Sequence, residues 1–192
     1  GGTTLEETVE LVRMGEDVFD LVQLRSGDID TNIPTGYSKE RIPYAYMSQA
    51  LKEGGIKTPV ELACGCFYPQ DCEEAVAAGK ADFITMARAW ISNPDYGLLV
   101  YEGRDEDIVP CIRCNKCNHP TPGQIWISTC SVNPEWGIEN RLGRLVAPIE
   151  RKKKVAVVGG GPAGMQAALI AARRGHFVTL YEMSDKLGGQ LK

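Results

Sequence analysis

Four of the chain's seven cysteines fall between Cys111 and Cys130, spaced C-x2-C-x2-C-x12-C. Thiols at that density must be oxidised, ligate a metal or be held apart, and each choice dictates a different fold. An odd total in a tight cluster fits a disulfide framework poorly and metal ligation in a reducing compartment well. Thiolates are soft ligands that select zinc, copper(I) or iron–sulfur clusters. Structural zinc usually takes two C-x2-C pairs across a longer loop. Here Cys111, Cys114 and Cys117 form one short run and Cys130 follows at a distance. That suits three corners of a cubane closed by a remote fourth ligand, so the spacing predicts a 4Fe-4S cluster. Zinc and unligated thiols are the alternatives. His119 lies in the same segment and reads as a loop residue, while Cys64 and Cys72 read as buried or semi-buried free thiols.

Upstream of the run, helical and strand patterns alternate. Thr3 to Asp17 reads as a helix with a Thr–Glu capping box and an apolar face of Leu5, Val9 and Val12. Strands are expected at Val18–Leu24, Thr58–Gly65 and Ala81–Arg88. Helices are expected at Tyr44–Glu53, at Pro69–Gly79 and at Asn93–Gly103. The strands are largely apolar rather than alternating, which fits a parallel sheet covered on both faces. Three such strands leave open edges and cannot close a barrel by themselves. From Gly103 to Glu150 helical periodicity disappears and Cys, Pro, Asn, Gly and Trp take over.

After Lys154 a third pattern begins. Val155–Val158 reads as a strand, Gly159-Gly160-Gly161-Pro162-Ala163-Gly164 matches G-x-G-x-x-G, and a helix follows. A second strand, Phe177–Tyr181, ends at Glu182, 18 residues past Gly164. A glycine triplet alone is weak evidence, but in this context it predicts a dinucleotide site. Gly159 makes the tight turn, Gly161 lets backbone N–H groups approach a pyrophosphate, and Gly164 allows close helix–strand packing. The helix N-terminus favours the phosphates and Glu182 accepts from ribose hydroxyls.

Composition narrows the field further. Of 192 residues 43% are hydrophobic, enough for a packed core, and the net charge is −4. A nucleic-acid partner is not expected without a basic patch, and Arg151 to Lys154 reads as a solvated linker. No apolar run reaches the roughly 20 residues of a membrane span, and no secretory signal opens the chain. Gly1 is not a start methionine, so the natural chain is expected to begin earlier. It is also expected to continue past Lys192, because one βαβ-like unit does not make a stable doubly wound sheet.

The stretches "GGTTLEETVEL", "ADFITMARAWISNPD", the cysteine run, "CSVNPE" and "VAVVGGGPAGMQAA" with "LYE" and "KLGGQL" occur in this order. Together they resemble the old-yellow-enzyme-like NADH:flavin oxidoreductases with iron–sulfur and FAD domains. That group includes 2,4-dienoyl-CoA reductase, 2-enoate reductases and trimethylamine dehydrogenase. The resemblance covers essentially the whole chain. It implies an α/β chain holding the C-terminal part of a (β/α)8 TIM barrel, strands six to eight, over residues 1–108. A loop-rich 4Fe-4S segment over 109–150 and the start of a Rossmann-like FAD/NAD(P)-binding domain over 151–192 would follow.

The same resemblance implies FMN at the C-terminal ends of the barrel strands. Its phosphate would be held at Gly65-Cys66 and Ala87-Arg88, the guanidinium recognising it bidentately. Gly188, Gly189 and Gln190 resemble a second glycine approach to the FAD diphosphate. The loop after the sixth strand carries a histidine in the dienoyl-CoA reductases and an acid in trimethylamine dehydrogenase. Here it reads Gly27-Asp28-Ile29-Asp30, so Asp28 and Asp30 are candidate proton donors or substrate contacts. An Asx turn or solvated loop is the alternative for both.

The implied activity passes electrons between NAD(P)H, FAD, the cluster and FMN to reduce an activated C=C bond of an enoate or enoyl thioester. An amine dehydrogenase running in the opposite direction, or a non-catalytic electron-transfer or zinc-stapled module, are the rival readings. The expected location is cytoplasmic, with small-molecule substrates, no nucleic acid and no membrane, and a homo-oligomer is compatible with it.

Overall fold

The computed structural model describes residues 2–25, 41–117 and 128–191. The chain divides into two compact units, residues 1–136 and 137–192. Helix α1 (Leu5–Met14) starts where the sequence places its cap. The Thr4 side chain accepts from the Glu7 N–H, and the Glu7 carboxylate accepts from the Thr4 N–H at 2.8 Å. Strand β1 (Val22–Gln23) pairs in parallel with β2 (Val60–Leu62), and β2 pairs in parallel with β3 (Phe83–Ile84). The sheet order β1-β2-β3 therefore follows the sequence. Helices α2 (Ala45–Glu53) and α3 (Pro69–Ala77) make the connections, followed by α4 (Arg88–Ser92) and α5 (Tyr96–Tyr101).

The core of this unit is three apolar clusters strung along the sheet. Val12, Val22, Leu51, Ile56 and Val60 form the first. Leu62, Cys66, Cys72, Ala75 and Ala81 form the second, and Phe67, Ala89 and Tyr96 the third. Cys111 packs against the third cluster, so the cysteine run is rooted in the core of the first unit.

Polar ties fix the ends of the central strand. The Glu16 carboxylate accepts from the Lys57 and Thr58 N–H groups, and the Thr58 bond, then the Lys57 bond, hold its pKa below the usual carboxylate range. Asp82 accepts from Lys52 Nζ and from the Val60 N–H at 2.8 Å. The Lys52 hydrogen bond, then the Val60 N–H, lower the Asp82 pKa. We expect Asp82→Asn to reduce stability at pH 7 by about 1 kcal/mol, the size of one hydrogen bond with a solvent-screened charge. The native carboxyl has a depressed folded pKa, so its contribution is present above the unfolded value of about 4. It fades as the pH falls through the folded value, and urea titrations of both proteins between pH 7 and pH 3 should converge at the acid end.

The second unit contains α6 (Glu139–Leu145), β4 (Lys154–Val158), α7 (Pro162–Arg173) and β5 (Phe177–Tyr181). Strands β4 and β5 are parallel and paired over all five residues, from Lys154 opposite Phe177 to Val158 opposite Tyr181. A 3-10 turn, Gly189–Leu191, follows. No helix among the described residues is long and apolar enough to cross a membrane.

Three expectations need correction. The first-unit strands are two or three residues long, not seven or eight. Val18 and Phe19 instead close a turn, their N–H groups donating to the Gly15 carbonyl. Arg88 is the first residue of α4, not the end of a strand. The segment from Gly103 to Glu150 also carries regular structure, a 3-10 turn at Asp105–Asp107 and helix α6.

Candidate functional site

A cavity of about 290 Å³ opens at the C-terminal ends of β1, β2 and β3. Its wall takes Arg25 from the segment after β1, Cys64-Gly65-Cys66 from the loop after β2, Ala87 from the loop after β3 and Arg88 from the start of α4. Cys117 of the cysteine run completes it. Parallel strands deliver loops to one edge of the sheet in this way, and ligands of such sheets sit there.

The backbone after β2 is turned sharply. Cys64 has φ 68° and Gly65 φ 93°, two left-handed residues in succession. At Cys64 this conformation costs roughly 1–2 kcal/mol, a strain typical of ligand-gripping turns. A side chain at Gly65 would also meet Pro43, its Cβ 2.6 Å from Pro43 Cδ. Burial pushes the Cys64 thiol up, and the nearby guanidiniums of Arg25 and Arg88 oppose that shift. The cavity therefore sits in the field of two cations, which suits an anion.

Cys66 is only 1% exposed. Its hydrogen bond with Cys72 and its burial push its thiol up, so it stays protonated. It can serve an anion through its backbone but not through a charged side chain. The cavity thus fits a phosphate-bearing ligand by its cations and its turned backbone.

The cysteine run folds back on its distant partner. Ser128 donates to the Cys117 carbonyl at 3.1 Å, and the Cys114 thiol hydrogen-bonds Ser131 Oγ at 3.2 Å. Cys130 is close enough to Cys111 and Cys117 to influence the charge of both. Arg113 (φ 58°) and Asn115 (φ 55°) are left-handed, turning the chain on either side of Cys114. The Arg113 N–H donates to Cys111 Sγ at 3.4 Å. Burial raises the Cys111 and Cys117 thiols, whereas the bond to Ser131 lowers Cys114.

Among the described residues no three Cys, His, Asp or Glu converge tightly enough to hold a single ion. A cluster asks less convergence, since each thiolate ligates a different iron. Four soft thiols in one neighbourhood, with an N–H···S bond already made, match that donor set.

The glycine turn joins β4 to α7. Gly159 has φ 102°. A Cβ on Gly164 would lie 1.9 Å from the Gly159 carbonyl oxygen, so helix and turn touch backbone to backbone. Gly161 has open space around its Cα except where Gly189 approaches. The Gly188 N–H donates to the Gly160 carbonyl at 2.8 Å, which lays the second glycine stretch against the first. Pro162 is at the first turn of α7, where a missing N–H is tolerated, with Ala163 next. Gln190 is exposed in the 3-10 turn. The Glu182 carboxylate accepts from the Gly160 N–H at 2.6 Å and from Ser184, poised at the glycine turn.

Asp28, Asp30 and His119 lie outside the described residues. Sequence reasoning misses Arg25; a cation directly after an apolar strand is the available signal. Asn115 carries no mark in the sequence either, yet it is buried and accepts from Arg88 Nη1 at 2.5 Å.

A family model described as FAD dependent oxidoreductase matches residues 154–192. The whole chain aligns with an NADH oxidase from Thermoanaerobacter brockii at 39% identity, covering 30% of it. A solved complex of 2-naphthoyl-CoA reductase with 2-naphthoyl-CoA matches with a TM-score of 0.84 and 37% identity, over 99% of this chain and 29% of that one. A histamine dehydrogenase from Rhizobium sp. 4-9 matches with a TM-score of 0.80 and 30% identity, over 96% of this chain and 27% of that one. The chain spans under a third of the length of these relatives. Its parallel α/β units, its glycine turn and this end-to-end similarity agree: the chain is homologous, over its whole length, to a part of the longer flavin-dependent oxidoreductases that include NADH oxidase and the alkene reductases.

Proposed function

We propose that the full-length protein is a flavin- and iron–sulfur-dependent oxidoreductase that uses NAD(P)H to reduce an activated C=C bond. In this reading residues 1–108 supply the last three strands of a (β/α)8 barrel, 109–150 carry the cluster, and 151–192 open the FAD- and NAD(P)-binding domain. The sequential parallel order β1-β2-β3 supports the barrel, whose neighbouring strands are consecutive in sequence. The observation that carries the reading is the cavity walled by Arg25, Arg88, the left-handed Cys64-Gly65 turn and Cys117.

Arg88 and the Gly65-Cys66 backbone would grip the FMN phosphate, and Arg25 would place a second cation in the same cavity. Cys111, Cys114, Cys117 and Cys130 would hold the cluster. The turn Gly159–Gly164 with Gly188 and Gly189 would pack against the FAD diphosphate, and Glu182 would accept from its ribose. Bound there, the flavins supply hydride and single-electron chemistry and the cluster a one-electron relay between them. The relatives of higher identity, at 39% and 37%, are an NADH oxidase and a reductase of an acyl-CoA, which favours reduction of an enoyl or enoate substrate. The histamine dehydrogenase match at 30% keeps the amine-oxidising direction as the second reading. Anaerobic mixing separates the two, since only one of NADH or an amine will bleach the flavin.

Denaturing the purified full-length protein should release FMN. Arg88→Gln should weaken FMN binding by about 10- to 100-fold, the equivalent of one charge-assisted bond, in a fluorescence titration of the depleted protein. A protein that releases no FMN would sink the reading.

A further inference from the structure

Two buried asparagines hold the cysteine segment, and both hold it to the same short helix. Asn115 lies between Cys114 and Cys117, is 4% exposed, and accepts from Nη1 of Arg88, the first residue of α4. Asn133 lies just past Cys130, is 8% exposed, and donates from Nδ2 to the Ile91 carbonyl of α4 at 2.7 Å. Its own Oδ1 accepts from the Glu135 N–H at 3.0 Å, fixing the return limb. The run and its remote ligand, separated by a 12-residue spacer in sequence, are thus anchored one turn apart on α4.

The same helix begins at the cavity. Arg88 lines the cavity and stacks over the Phe67 ring at 5.3 Å, and Arg113 of the cysteine run stacks over that ring at 4.9 Å. A guanidinium has five N–H donors, so one arm on Asn115 does not exhaust its capacity for an anion. Asn115 also stands at φ 55°, a conformation asparagine tolerates better than most residues. A buried amide held in that conformation and paired with a cation is expensive to rearrange, which ties the guanidinium to the loop.

We propose that α4 couples the two sites: Asn115 and Asn133 are positioning residues through which a phosphate-bearing ligand in the cavity and metal on the cysteines stabilise each other. This inference rests on the functional reading above. Coupling between sites is reciprocal, so either ligand reports on it.

The test follows iron release from the anaerobic full-length protein into a ferrous chelator, with FMN bound and with FMN removed. In the native protein FMN should slow release by about tenfold, within the usual range of such couplings. Asn115→Gly removes the acceptor but accommodates the positive φ. It should still bind FMN and iron, yet release iron at the same rate with or without FMN. Asn115→Asp keeps an acceptor oxygen and should restore the FMN effect, a rescue that a merely structural role would not give.

An Asn115→Gly protein with the native ratio overturns the inference and leaves the functional reading intact. Native protein whose iron release ignores FMN overturns it as well, independently of any variant. Native protein that contains neither FMN nor iron overturns the reading and the inference together.

Discussion

Alanine at position 164 is expected to destabilise the second unit by about 3 kcal/mol and to weaken FAD binding by about 100-fold. The new Cβ would lie 1.9 Å from the Gly159 carbonyl oxygen and 3.0 Å from its carbon. Both are backbone atoms, so no side chain can swing aside. Alanine also improves helix propensity over glycine by up to about 1 kcal/mol, but overpacking against backbone outweighs that gain. Relief requires α7 to lift from the turn, which displaces the N–H groups of Gly160 and Gly161 from one another. Thermal unfolding and FAD titration of the full-length variant measure the two effects. Gly143→Ala, in α6 with nothing near its Cβ, is the control that should bind FAD normally.

Cys114→Ser in the full-length protein is expected to remove nearly all bound iron and acid-labile sulfide. A serine hydroxyl is a hard, poorly ionised donor in place of a soft thiolate. Cys114 is the most exposed of the four thiols, and its hydrogen bond with Ser131 lowers its pKa, which favours the thiolate that ligates. Released FMN should stay near native levels, because Cys114 does not line the cavity. Metal analysis, sulfide assay and the visible spectrum decide the matter. A colourless native protein with zinc and no sulfide would instead support the zinc-stapled module.

Local chemistry is legible in the sequence wherever neighbours in the chain are also neighbours in space. The Thr4–Glu7 box, Pro162 at the start of α7 and the contact of Gly164 with Gly159 all involve residues within five positions. Strand lengths are not legible. Val18, Phe19 and Leu21 are apolar enough to extend β1, but they are exposed and a turn at Gly15 takes the backbone bonds of the first two. Helix α6 is hidden by Gly143 in its middle, which weakens propensity by about 1 kcal/mol. The composition of the cavity is half legible. Gly65, Cys66, Ala87 and Arg88 follow from family resemblance, but Arg25 and Cys117 join them only because three loops and the cysteine run meet. Periodicity carries no information about which loops converge, and the partnership of Arg88 with Asn115 is invisible for the same reason.

Cys117 borders the cavity and also belongs to the thiol constellation. One residue therefore serves as common masonry for two chambers. A graft that exchanges the cysteine-rich stretch between relatives would import a piece of the neighbouring chamber with it. Natural drift in either compartment is constrained by the other, and the stretch cannot be treated as an interchangeable cassette.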